Sequence, residues 1–291
     1  MKRKQVIKNT YTSRQIFIKK FMKNKLAVVG SLIIIVFVIM AIFAPIFATF
    51  DPNTTDLLNI RTSPNKVHIL GTDDLGRDIF SRLLYGGRVS IAVGVASMML
   101  QILIGVTIGV IAGYFGGLID KIIMRIVDII MCFPFFVIAI ALAAVIGGSI
   151  TNLVLIIGML MWPVITRIVR GEVLVTKQNE YILAAKALGF NTFEIIIHHI
   201  IPNIISAILV SSILCIAQGI LMEATLSFLG LGVNPPTPSW GNMLVAAQNM
   251  SVLSHKWWMW IPAGMSVVLI VLSVNFVGDG LRDALDVEKS V

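Results

Sequence analysis

Few side chains in this 291-residue sequence are placed to do chemistry, and Glu223 stands out among them. It lies inside a long apolar run, well away from any cluster of charge. Such an acid either handles solute or protons, or it is buried, protonated and bonded to a neighbouring helix. The sequence leaves both readings open. His68, His198, His199 and His255 offer no ligand set on one face, and neither H-E-x-x-H nor C-x-x-C occurs. The adjacent His198 and His199 read as interfacial. No G-x-x-x-x-G-K-[ST] loop is present, so the chain has no Walker-type nucleotide site. Cys132 and Cys215 both fall in apolar runs, which argues against a structural disulfide. No Ser/His/Asp constellation can be assembled. The expectation is a non-catalytic chain that binds no metal or cofactor of its own.

The polar stretch from Arg167 to Pro202 carries more order than a connection requires. It runs to about 36 residues, whereas bundle connections take roughly 2–8. Glu180 to Leu188 reads as a short helix, with Tyr181 and Lys186 beside the strong helix formers Ala184, Ala185 and Ala187. Gly189 follows where a left-handed C-terminal cap would sit. Asn191 can cap a second helix, with Glu194 three residues later completing a capping box. Pro202 heads the next apolar run. Helix, glycine turn and capped helix predict a stiff elbow, and its small exposed alanines leave room for a partner's groove.

Other polar positions suggest structural or gating roles. Arg125 and Asp128 are three apart and are expected to pair on one helix face near the membrane interface. Pro134 then marks a kink. Earlier, Thr72 can cap a helix with Asp73 and Asp74 in its first turn. Leu75, Ile79 and Leu83 would give it an apolar stripe, with Arg77, Asp78 and Arg82 mostly off it. That predicts a short interfacial helix, either a surface anchor or part of an external gate. The prolines of Asn234 to Gly241 predict a stiff external loop. Trp240, Trp257, Trp258 and Trp260 suit an interfacial belt.

The elements that must position these residues follow from composition. The chain is 57% hydrophobic and 13% charged, with a mean hydropathy of +0.92, against roughly 25% charged in soluble domains. Lipid is therefore its solvent, and an all-α membrane protein is expected because the apolar runs are continuous. Six spans are placed near 26–50, 89–115, 122–147, 150–166, 203–229 and 257–278. The first run is too long for a signal peptide. With the N-terminus inside, the cytoplasmic segments hold 17 basic residues and the external ones 6, which predicts both termini in the cytoplasm. The net charge of +8 comes largely from nine basic residues in the first 25, a pattern suited to anionic membrane lipid and not to nucleic acid. The expected layout is a basic tail (1–25), a first span (26–50), an external segment (51–88), a core of five spans (89–280) that includes the elbow (167–202), and a C-terminal tail (281–291). Gly105, Gly109 and Gly113 share one helix face, for tight packing inside the subunit or for a dimer seam.

Several long motifs, in order from about residue 20 to Asp286, resemble the second permease subunit of the dipeptide/oligopeptide/nickel ABC importers, in the binding-protein-dependent permease superfamily. They are His68 to Arg82, the Asp120, Arg125, Asp128 and Pro134 stretch, Glu180 to Asn203, Glu223 to Gly241, and Asn275 to Asp286. The superfamily's cytoplasmic motif reads Glu-Ala-Ala, three residues, Gly, nine residues, Ile-x-Leu-Pro. Here Leu183 replaces the Glu, Ala184, Ala185 and Gly189 match, His199 and Ile201 replace Ile and Leu, and Pro202 matches. The C-terminal motif also departs, with Val287 after Asp286 where a proline is usual. The resemblance implies a type I ABC importer transmembrane domain in the cell (inner) membrane. The Glu180–Gly189 helix would dock into one of two separate ATP-binding subunits, which hold the ATP and Mg. A homologous second permease subunit would complete a heterodimer, and an extracellular or periplasmic binding protein would deliver peptides to 51–88 and 230–256. Nickel or a metal chelate is the alternative cargo. A proton-coupled secondary transporter working through Glu223 is a more distant alternative.

Overall fold

The computed structural model describes residues 13–285. The basic residues ahead of Ser13, and the tail from Asp286 onward, lie outside them. Among the described residues the chain is helical between loops, in the order α1 (Ser13–Lys23), α2 (Lys25–Ile42), α3 (Ala44–Phe47), α4 (Ile79–Phe115), α5 (Gly117–Cys132), α6 (Phe135–Ile146) and α7 (Ile150–Thr176). There follow α8 (Glu180–Ala187), α9 (Thr192–Ile195), α10 (Ile201–Phe228), α11 (Trp240–Leu244), α12 (Met250–His255) and α13 (Ile261–Leu285). Five stretches are long and apolar enough to cross a membrane: α2, α4, α7, α10 with the turns leading into it, and α13. The sixth span is the pair α5–α6, bent by 81°. The break falls where Pro134 removes a backbone donor and its ring excludes the preceding turn.

Polar residues at the apolar boundaries start the helices. Asn24 accepts from the Ala27 N–H at 3.2 Å, and Ser149 from the Asn152 N–H at 3.0 Å. The second span starts at Ile79, ten residues earlier than its apolar run suggests, because Asp78 caps it.

Side-chain neighbours set the helix directions. α4 and α7 run parallel, α10 lies antiparallel to α4, and α13 lies antiparallel to both α2 and α10. One end of the bundle carries the 176–200 connection and is called the elbow end. The other carries 43–78 and 229–260 and is called the loop end. The described chain begins and finishes at the elbow end, where the Asn24 amide donates to the Asp283 carboxylate at 3.5 Å.

α4 and α7 form the tightest seam. A methyl group placed on Gly105, Gly109 or Gly113 would fall 2.6, 2.8 or 2.7 Å from the Cβ of Ile165, Val169 or Val173. The glycine stripe thus packs inside the subunit, with the β-branched side chains of α7 against bare α4 backbone. Below the seam, Lys177 Nζ donates to the Gly113 carbonyl at 2.7 Å.

The expected Arg125–Asp128 pair does not form. Asp128 pairs with Arg167 at 2.5 Å, and Asp120 takes Arg170 through two bonds of 2.5 and 2.6 Å. α5 lies beside α7, so the guanidiniums of α7 reach these acids and a forked partner displaces the neighbour along the helix.

Gly109→Ala is expected to lower the stability of the purified protein by about 1–3 kcal/mol, since the new methyl must displace Val169 or the α7 backbone. Gly171→Ala is the control, because open space surrounds that position; it should be neutral, or stabilising by up to about 1 kcal/mol. Thermal melts in detergent read both, and equal melts would deny the seam its role.

Candidate functional site

The elbow is built from local signals that the sequence spells out. In α8 the buried residues are Ile182 and Ala185, three apart and therefore on one face. With Ile195 they join a core of Val110, Val169, Val173, Ile200 and Ile204 from α4, α7 and the start of α10. Full burial of an isoleucine contributes about 1.5–3 kcal/mol, so Ile182 and Ile195 pin the elbow firmly. After α8 the backbone reverses through Gly189, at φ +86°. The Phe190 N–H donates to the Ala185 carbonyl at 3.2 Å and the Gly189 N–H to that of Lys186 at 3.1 Å, the two bonds of a Schellman turn. Asn191 Oδ1 accepts from the Glu194 N–H at 2.9 Å, while the Asn191 N–H donates to Glu194 Oε2 at 3.0 Å, completing the capping box.

The outward side of the elbow is more apolar than its alanines suggest. Glu180, Tyr181, Ala184, Lys186 and Gly189 are exposed, and Ala185 points inward. Lys186 Nζ lies 5.2 Å from the centre of the Tyr114 ring, which ties α8 to the end of α4. Leu183, Leu188, Phe190 and Phe193 also stand in solvent, with Leu188 77% and Phe193 72% exposed. Sequence reading singled out none of the last three. The available signal was three large apolar residues flanking a glycine turn, at spacings that fit no buried helix face. Before Pro202 the helix widens by one π-helical turn (Ile196–Ile200), where the Ile201 N–H reaches back to Ile196. A proline ring cannot sit against the carbonyl four residues earlier, and the wide turn accommodates it.

At the loop end, Asp78 takes the capping role expected of Thr72. Its carboxylate accepts from the Ser81 N–H and hydroxyl, both at 2.8 Å, and lies 3.0 Å from His68 Nδ1. The interfacial helix does not form. Asp73 folds its carboxylate back onto the N–H groups of Leu75 and Arg77, at 2.9 and 3.0 Å, and this closed turn competes with a helix. The same carboxylate takes Arg77 Nε at 2.7 Å and lies 3.5 Å from Arg82 Nε. Arg82 is buried and donates to the carbonyls of Pro52 and Pro236 at 3.0 and 3.4 Å. Asp73, Arg77 and Arg82 border a cleft of about 490 Å³ with Asn242, Gln248 and Asn249. Outside the spans, Asn59 and the N–H of Leu58 hold the Asp56 carboxyl below its usual range.

Trp240 does not belong to an interfacial belt. It is 1% exposed, its indole N–H donates to the Leu83 carbonyl at 3.0 Å, and Phe37 meets it edge-on. Trp258 and Trp260 are partly buried, while Trp257 is exposed. Glu223 lies close to Trp240 and is fully buried. It accepts from the hydroxyls of Ser90 and Ser227, each at 2.7 Å, and Ser90 Oγ in turn accepts from the Trp240 N–H at 3.1 Å. Of its two readings, this is the setting of an acid bonded to a neighbouring helix inside its own subunit.

A bundle of helices long and apolar enough to cross a membrane defines a multi-pass integral membrane protein. Residues 105–289 match the model of the binding-protein-dependent transport system inner membrane component family, and residues 12–64 match the N-terminal TM domain of oligopeptide transport permease C. The chain is 45% identical over 268 residues to the oligopeptide transport system permease protein OppC of Bacillus subtilis, covering 92% of this chain and 87% of that one. It is 43% identical over 268 residues to the dipeptide transport system permease protein DppC of Alkalihalophilus pseudofirmus, covering 92% and 88%. It is 42% identical over 272 residues to the glutathione transport system permease protein GsiD of Shigella flexneri, covering 93% and 89%. The chain belongs to the family of binding-protein-dependent transport system inner membrane components, as a permease subunit of a peptide-type ABC importer.

Replacing Glu223 tests its structural role. Glu223→Leu strands two buried hydroxyls without an acceptor, at about 1–3 kcal/mol each, and should sharply lower the melting temperature. Glu223→Gln keeps an oxygen in place and should cost about 1 kcal/mol. If both variants melt like the native protein, the network does not hold the loop end together.

Proposed function

We propose that this chain is one of two different permease subunits in an ATP-driven importer of di- or oligopeptides. The observation that carries this is the elbow. Two short helices are locked by a Schellman turn and a capping box, pinned from beneath by Ile182, Ala185 and Ile195, and topped by Leu183, Leu188, Phe190 and Phe193. An apolar patch on a rigid polar projection calls for a protein cover. The proposed cover is the cleft of a separate ATPase subunit, which binds the ATP and Mg. Closure of two such subunits would push the elbows and switch the pathway between outward and inward access. In this reading the elbow end faces the cytoplasm, in line with the distribution of lysine and arginine. The loop end receives a binding protein, and the Asp73–Arg77–Arg82 cleft lies on that receiving surface.

Support for peptide cargo comes from relatives named for oligopeptides, dipeptides and glutathione, the last itself a small peptide. Nickel and metal chelates are tested directly, by competing labelled-metal uptake with peptide and the reverse.

Gly189→Val introduces a β-branched residue at positive φ, a strain of about 1–3 kcal/mol confined to the turn, since nothing lies within 4 Å of the added Cβ. The variant should insert and assemble, retain ATP hydrolysis and lose most peptide uptake. Gly189→Asn, which tolerates that backbone, should keep most of it. Normal uptake by the valine variant would count against the elbow as the transmitting part. Solute movement by the chain alone in liposomes, without an ATPase, would support the proton-coupled reading.

A further inference from the structure

We propose that the groove between the loop-end halves of α2 and α4 holds one anionic phospholipid, with its phosphate on Arg88 and an acyl chain along Val38, Ala41, Ile91 and Val95. Four arginines of the described chain stand at the loop end. Arg61 pairs with Asp74, and Arg77 and Arg82 with Asp73. Arg88, inside α4, has neither a carboxylate nor a hydrogen-bond acceptor among the described residues; its guanidinium carbon lies 5.7 Å from the centre of the Tyr85 ring. Tyr85 is one turn nearer the loop end, so the ring draws the side chain toward the membrane interface. A charge within a span ordinarily has a partner. The flat guanidinium fits a phosphate through two parallel N–H groups, which a point charge cannot do.

The groove beside this cation is apolar. Arg88 shares a hollow of about 360 Å³ with Val38, Ala41 and Ile42 of α2 and Ile91, Ala92 and Val95 of α4. The small Ala41 and Ala92 leave room between the larger side chains around them. α2 runs toward the loop end and α4 away from it, so Ile42 and Arg88 come at the rim, and Val38 and Val95 lie deeper. From Arg88 to Val95 the hollow follows α4 for roughly 10 Å, a third of the hydrocarbon core. Charge at the rim with methyl groups below it matches the order of headgroup and chain in a lipid.

The surroundings favour lipid over a protein cover. α2 is the least enclosed of the five unbroken spans, and it exposes Leu32, Ile35, Val36, Ile39 and Ile42. The groove is continuous with this apolar surface of membrane-spanning length. A protein cover would have to bring an acid and a ridge of apolar side chains to the same spot, whereas a phospholipid carries both in one molecule. A headgroup without an ammonium is favoured, since choline or ethanolamine would set a second cation beside Arg88. Nothing in the site depends on the cargo that the transporter carries.

The complete transporter is reconstituted in phosphatidylcholine liposomes that contain a little phosphatidylglycerol with a photoactivatable diazirine on its acyl chain. After illumination, the adducts are mapped by peptide mass spectrometry. The expected adducts fall on 38–42 and 91–95, are suppressed by excess unlabelled phosphatidylglycerol, and persist in the presence of glycerophosphate. Arg88→Gln should lower them by about tenfold, the loss of one charge-assisted contact. Ala92→Phe keeps the charge but fills the groove from an exposed position, and should lower them as well. Labelling at Leu32 and Val36, on the open face of α2, should stay unchanged in both variants, which also shows that they fold. Equal groove labelling in the native protein and Arg88→Gln would mean an unspecific lipid shell, and would overturn the proposal. An unlabelled groove in the native protein would mean that another protein covers it, and suppression by glycerophosphate would mean a site for free phosphate; either result overturns it too.

Discussion

The approach of α4 to α7 sets the frame for the rest of the chain. Bare backbone at Gly105, Gly109 and Gly113 lets Ile165, Val169 and Val173 seat against it, and this fixes two long helices side by side and parallel. In lipid no hydrophobic force gathers helices, so such contacts must come from van der Waals fit. The seam ends where Lys177 reaches the Gly113 carbonyl, and there the chain turns into the elbow. Val169 and Val173, which fill the glycine groove, also belong to the core that grips Ile182 and Ile195. The elbow is thus an outgrowth of the seam.

The loop end is held by different forces. Here polar groups are buried among apolar ones, and the carboxylates, guanidinium and hydroxyls of α4 and α10 find partners, while the indole N–H groups of Trp258 and Trp260 have none among the described residues. Glu223 of α10, Ser90 of α4 and the first N–H of α11 form one chain of hydrogen bonds. Asp78, Arg82 and Asp73 tie the 51–78 segment to the start of α4. α4 therefore takes part in both ends, with glycine against aliphatic side chain at one and hydroxyl against carboxyl at the other.

Sequence reading succeeded where the determining interactions were local. Gly189, Asn191 and Glu194 announce the elbow because a Schellman turn and a capping box close within six residues. Pro134 announces a break because its effect falls on the preceding turn, although the size of the bend did not follow from the residue. Reading failed where distant residues decide. Asp128 has a plausible neighbour in Arg125, and only the placement of α7 reveals Arg167 as its partner, 39 positions away. Thr72 and Asp78 are both good caps. The outcome turned on Asp73 closing its own turn, and a propensity scale has no means of ranking that. Trp240 was grouped with the other tryptophans by type, whereas the Leu83 carbonyl and Phe37 give it a place in the interior.

The stretch from Thr192 to Phe228 has a mechanical consequence. Its 37 residues are helical throughout, apart from one widened turn. From the capped start beside Phe193 to the hydrogen bonds of Glu223 it forms a rod of roughly 46 Å, at about 1.5 Å per residue. If the rod pivots about its Glu223 end, a tilt of only 5° or so would carry the elbow end, together with the core that grips it, through about 4 Å. Under the proposed coupling, the gearing between stroke and response would be set by the length of one helix.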